Sequence, residues 1–163
     1  MREMKKVQAT VVAVAAALVI TVSQASSAMA IVTKTFGLNA KMSASQVVTV
    51  KNKPWKAPAA VANGKGTFGG TLNTTTRKLT WRITYTGIGN PTLAIADIHL
   101  GPPGKFGAII VRLCGPCTSG QKGVSTIKRS FVPDITSGNS WVTVITGKYP
   151  NGVIRGQIKA TAK

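Results

Sequence analysis

Acidic residues are almost missing from this sequence. Glu3, Asp97 and Asp134 are its only carboxylate side chains, against 21 Lys and Arg in 163 residues. Asp97 and Asp134 lie too far apart in sequence to suggest the paired carboxylates of a glycosidase. Histidine is scarcer still: His99 stands alone, so no site built on several imidazoles is available. No Gly-x-Ser-x-Gly elbow occurs, and a lone His beside one acid makes no triad without a placed nucleophile. No glycine loop of the phosphate-cradling kind is present. Aromatics make up 6% of the chain and do not interleave with the cations as a base-stacking platform would require, so no specific nucleic-acid partner is expected. Heptads, low-complexity tails and convincing helical periodicity are absent as well.

What is present begins with a leader. Arg2, Lys5 and Lys6 form a basic start, Val11 to Ile20 is an unbroken apolar run, and Ala28-Met29-Ala30 has the small-x-small pattern of a signal-peptidase site. We expect residues 1–30 to be a Sec-type signal peptide cut after Ala30, with Ala28 as the second choice of site. The run falls short of the ~20 apolar residues of a membrane span. With no twin Arg and no Cys following the run, neither twin-arginine export nor lipidation is indicated. The expected mature chain, residues 31–163, is then a single secreted domain, extracellular or periplasmic, with no transmembrane segment. Three of the basic residues and Glu3 go with the leader, leaving 18 cations against two acids, a net charge of +16. Such a field draws anions. The expected partners outside the cell are acidic polysaccharides or envelope polymers; the simpler alternative is solvation by scattered cations.

The mature chain reads as short β segments parted by turns. The clearest is Lys78 to Thr86, where Leu79, Trp81, Ile83 and Tyr85 alternate with polar residues at period two. Others run over 33–42, 66–72, 92–99, 107–113, 123–128, 140–146 and 153–160. Turns fall at Gly87–Pro91, Gly101–Gly104, Ser137–Asn139 and Pro150–Gly152, and 51–65 is linker-like. The pattern predicts an all-β, antiparallel fold of seven or eight strands, a β-sandwich or a Greek-key barrel.

Three segments carry a family resemblance. Gly66-Thr-Phe-Gly-Gly-Thr-Leu leads to Leu79-Thr-Trp-Arg-Ile-Thr-Tyr-Thr-Gly87. Ala94-Ile-Ala-Asp-Ile-His-Leu-Gly101 precedes Gly107-Ala-Ile-Ile-Val. Ser140-Trp-Val-Thr-Val-Ile-Thr146 precedes Pro150-Asn-Gly-Val-Ile-Arg-Gly-Gln-Ile158. Over roughly residues 36–160 the chain resembles the chordin-type (CHRD) domain of secreted proteins. The resemblance implies an extracellular β fold, immunoglobulin-like or superoxide-dismutase-like, with no established catalytic activity. It marks Asp97, His99, Gly101, Gly107, Gly152, Arg155 and Gly156 as motif positions. Asp97 stands where the family commonly has a His, Ile145 where it has another, and Val153 where it has Glu.

Asp97 and His99 share one face of a strand, where they would share a proton or a weakly held ion; the simpler expectation is that Asp97 bonds His99 or a turn amide. No metal or cofactor is expected. Cys114-Gly-Pro-Cys117 has thioredoxin spacing but follows a strand rather than opening a helix. A structural disulfide is expected, with a thiol-disulfide oxidoreductase and a metal site as the alternatives. A hairpin across Gly101–Gly104 would bring His99 near Gly107 and leave Cys114 about 23 Å away along the strand. Trp81 and Trp141 read as core anchors. Trp55, between Lys53 and Lys56, is the aromatic expected to contact a partner. The expected function is non-catalytic binding or an envelope role.

Overall fold

The computed structural model describes residues 34–163; the leader read over residues 1–30 lies outside them. Nine antiparallel strands occur among the described residues: β1 (Thr35–Ser43), β2 (Lys65–Asn73), β3 (Lys78–Thr86), β4 (Ala94–Leu100), β5 (Ile109–Cys114), β6 (Lys122–Thr126), β7 (Ser140–Thr146), β8 (Tyr149–Gln157) and β9 (Lys159–Ala162). Their order in the sheet is β5-β4-β7-β8-β1-β2-β3-β6, with β9 on β1. Edge strands β5 and β6 come together, which nearly closes the sheet into a barrel with Greek-key crossovers.

Alternation explains the core. On β3, Leu79, Trp81 and Ile83 are buried and their polar neighbours Lys78, Thr80 and Arg82 are exposed. The inward set continues through Leu38, Ala40 and Met42 on β1, Phe68 and Leu72 on β2, Ala96 and Ile98 on β4, and Val142 and Val144 on β7. Each large apolar side chain sealed this way contributes about 1.5–3 kcal/mol relative to exposure.

Three features depart from the sequence expectation. The last predicted strand divides into β8 and β9 at Ile158, although both halves pair β1 in one register: Ser43 opposite Arg155, Asn39 opposite Lys159. Pro150–Gly152 is not the turn; the chain reverses at Gly147-Lys148, with Thr146 opposite Tyr149. Pro150 to Val153 form instead a wide bulge in β8 opposite the single residue Ile145, and Gly152 at φ +108° supplies a backbone shape that L side chains rarely adopt. A short helix, α1 (Val132–Thr136), also forms. Its Pro133 is tolerated in the first turn, Gly138 at φ +80° follows its end, and Ile135 is fully buried. Five residues are too few to display a helical period.

Candidate functional site: a buried polar layer outside the barrel core

Strands β4, β7 and β8 are buried on both faces. Their inward face is apolar, and their other face carries Asp97, His99, Trp141, Thr143, Arg155 and Gln157. Register sets the rows: Asp97 lies opposite Thr143, and Thr143 opposite Arg155, while His99 lies opposite Trp141, and Trp141 opposite Gln157. Water is kept off by the β4–β5 loop, residues 101–108, which meets the segment after β1: the Phe106 N–H donates to Asn52 Oδ1 at 2.7 Å.

Aromatic stacking orders the layer. The His99 ring lies on Trp141 with centroids 4.1 Å apart and planes 13° apart. The Arg155 guanidinium carbon sits 3.9 Å from the same indole, close enough for a cation–π contact. Phe106 closes the side, 6.1 Å from Trp141. The Arg155 side chain also reaches the Pro102 carbonyl at 3.5 Å. The Gln157 amide nitrogen donates to Gly101 O at 3.0 Å and Gly138 O at 2.8 Å, which directs its Oε1 elsewhere.

Both titratable groups of β4 have partners other than each other. Asp97 accepts from Arg112 Nε at 2.8 Å and from its second nitrogen at 3.4 Å, so the expected Asp97–His99 or turn-amide bond gives way to a cross-strand ion pair. Two register shifts between β4 and β5 place Arg112 opposite Asp97. His99 Nδ1 donates to the Gly107 carbonyl at 2.8 Å, leaving Nε2 as the acceptor of a neutral ring. Burial pulls His99 below its usual 6.5, against that bond and the charge of Asp97. Burial also raises Asp97 above 3.8, despite Arg112 and His99. Arg155 is pulled below the usual arginine range to about 10, again by burial.

A family model described as the CHRD domain matches residues 38–158. The chain belongs to the CHRD-domain family. No curated protein and no solved structure matches it. Most motif positions of this CHRD domain lie in or beside the polar layer: Gly101 and Gly107 supply carbonyls to Gln157 and His99, and Gly152 shapes the bulge, whereas Gly156, on the core side of β8, packs against the Lys41 carbonyl of β1. Trp141, expected in the core, is buried on the opposite face. Trp81 is in the core.

The remaining candidates lie elsewhere. Cys114 and Cys117 form a disulfide, both side chains buried. Cys114 is opposite Ala96, three residues from His99, or about 10 Å by strand rise. That is nearer than the sequence estimate, because His99 lies opposite Ile109 rather than Gly107 and two bulges shorten the path, and still beyond a shared ligand bond. Among the described residues no three His, Cys, Asp or Glu side chains gather as a metal cluster, and no helix is long and apolar enough to cross a membrane. Trp55 is not a free platform: it is half-buried and packs edge-on against Tyr149 at 5.5 Å. The sequence reading missed Arg112 and Gln157. A lone cation inside Ile109–Cys114 was a signal for the first, and Gln157, two residues after Arg155, shared its face.

Proposed function

We propose that this CHRD domain is a secreted, non-catalytic module that binds an anionic polymer of the envelope or extracellular matrix. The observation that carries the reading is the charge imbalance. Among the described residues Arg112–Asp97 is the only ion pair, so the other cations face solvent or the interior without an acidic partner. Arg82 and Lys122 are directly opposed on β3 and β6, both exposed, an arrangement that costs stability unless an anion lies across it. The closed, buried disulfide is consistent with an oxidising compartment. The non-catalytic reading is supported by the burial of His99 and Asp97, with His99 Nδ1 bonded to Gly107 and the Asp97 carboxylate paired with Arg112.

Retention of the exported protein on an immobilised acidic polysaccharide tests the proposal. Retention is expected at low salt and lost by molar salt, where screening shortens the reach of exposed charges to about 3 Å; the double variant Arg82→Gln/Lys122→Gln should elute earlier. Undiminished retention at molar salt would overturn the electrostatic basis. N-terminal sequencing of the secreted form should begin at Ile31.

A further inference from the structure

Arg155 raises a separate question. It is 3% exposed, has no carboxylate within pairing distance among the described residues, and its second terminal nitrogen, Nη1, has no hydrogen-bond partner. A buried cation in that condition is strongly unfavourable unless something compensates it. Stacking on Trp141 holds the guanidinium in one plane but supplies no counter-charge. Gln157 is unpartnered in the complementary sense, with its amide nitrogen bound to two carbonyls and its buried Oε1 free.

Both side chains line one cleft of about 260 Å³, whose walls include Val47, Val48, Pro54 and Pro103. Both residues contribute to the lining beneath largely apolar sides, while Arg155 Nη1 and Gln157 Oε1 themselves lie sealed behind the cleft wall. That volume lies just under the usual range for small-molecule sites, roughly 300–1,000 Å³, and suits one sugar-sized unit rather than a length of polymer.

We propose that this cleft is a carboxylate site, in which a small shift of the wall lets Arg155 Nη1 donate to a carboxylate oxygen and Gln157 Oε1 accept from a neighbouring hydroxyl, and that its ligand is a uronic-acid unit of an acidic polysaccharide. A carboxylate answers the unpaired charge. The adjacent acceptor selects a donor close to that carboxylate, which a hydroxy acid carries and a simple fatty acid lacks. The apolar walls suit the C–H face of a pyranose ring. The choice of a sugar acid rests on the polyanion reading above, whereas the carboxylate site rests on Arg155 and Gln157 alone.

The test is calorimetric titration of the exported protein with D-galacturonate, D-galactose and N-acetylalanine, at low salt and at 0.5 M salt. Galacturonate is expected to bind at least tenfold more tightly than galactose. Its binding should fall little with salt, since a buried pair is screened far less than surface charge. Arg155→Gln should abolish it. Because loss of Arg155 also removes the stacking on Trp141, Ser45→Trp serves as the second variant; it fills the cleft from an exposed lining position and should lower affinity at least tenfold with a cooperative melt retained. Equal binding of galactose and galacturonate, or no binding of either acid, would refute the carboxylate site. Tighter binding of N-acetylalanine would refute the sugar assignment in favour of a peptide C-terminus. If wild type still shows salt-sensitive retention on the polymer but ignores galacturonate, this site fails while the polyanion reading stands; the reverse result separates them the other way.

Discussion

Removing Arg112 should cost this domain far more than neutralising its partner. Asp97 is completely buried, and its side chain accepts hydrogen bonds only from Arg112. The Arg112 side chain is 54% exposed. Arg112→Ala therefore strands a carboxylate in the interior, whereas Asp97→Asn leaves a cation that water can still solvate. Breaking a buried pair by deleting one partner costs about 3–5 kcal/mol. Water entering where the half-exposed Arg112 stood puts this case near the lower end, about 3 kcal/mol, or roughly 10 °C in melting temperature for a domain of this size. Asp97→Asn keeps an acceptor for Arg112 and should cost about 1 kcal/mol. The double variant Asp97→Asn/Arg112→Ala should be little worse than Asp97→Asn, giving a coupling of about 3 kcal/mol in the double-mutant cycle.

The same pair gives the prediction a pH dependence. Burial already holds Asp97 above 3.8, with Arg112 among the groups pulling it down; without Arg112 it rises further. A carboxyl whose folded pKa is raised contributes stability below the unfolded value and loses it as pH climbs through the folded value. The Arg112→Ala deficit should therefore be full near pH 8 and shrink as pH falls toward 4. Urea unfolding of wild type and the three variants at several pH values measures it. An Arg112→Ala protein within 0.5 kcal/mol of wild type at pH 8, or a deficit that acid does not relieve, would refute the argument.

His99 should act in the opposite direction on acidification. Its pKa is held below 6.5 in the fold, so its contribution is complete above pH 6.5 and is lost as pH falls through the depressed value; thermal melts between pH 7 and 5 should decline more steeply for wild type than for His99→Gln. Gly156→Ala should destabilise by about 1–3 kcal/mol through overpacking, because its Cβ would lie 2.5 Å from the Lys41 carbonyl oxygen and 3.0 Å from Met42 Cγ. Gly69→Ala is the control in the same melts, with nothing within 4 Å of its added Cβ, and should change stability by no more than about 0.5 kcal/mol.

Where one strand face is wet, alternation told the sheet's two sides apart. Lys78 to Thr86 is the plain case: its polar positions stay in solvent, and β3 forms with the bounds read from sequence. On β4, β7 and β8 both faces are dry, so period two could say that Asp97 and His99 share a side but not that this side is buried. Trp141 was assigned to the core on the same reasoning that placed Trp81 there, and the difference between them lies in strand order. β7 runs between β4 and β8, which sets its indole between an imidazole and a guanidinium contributed by residues 42 positions before it and 14 after. Local bulges added to what alternation hides. The shifts that bring Arg112 to Asp97, and the one at Pro150 to Val153, change side-chain register without changing composition, so a single sequence contains no periodic trace of them. The glycines and Arg155 of the motif were legible as positions because their order is distinctive. Their surroundings emerge only in the fold, where the 101–108 loop closes over β8 and brings the carbonyls of Gly101 and Pro102 to Gln157 and Arg155. That closure uses both hydrogen-bond donors of the Gln157 amide and leaves Nη1 of the neighbouring Arg155 without an acceptor.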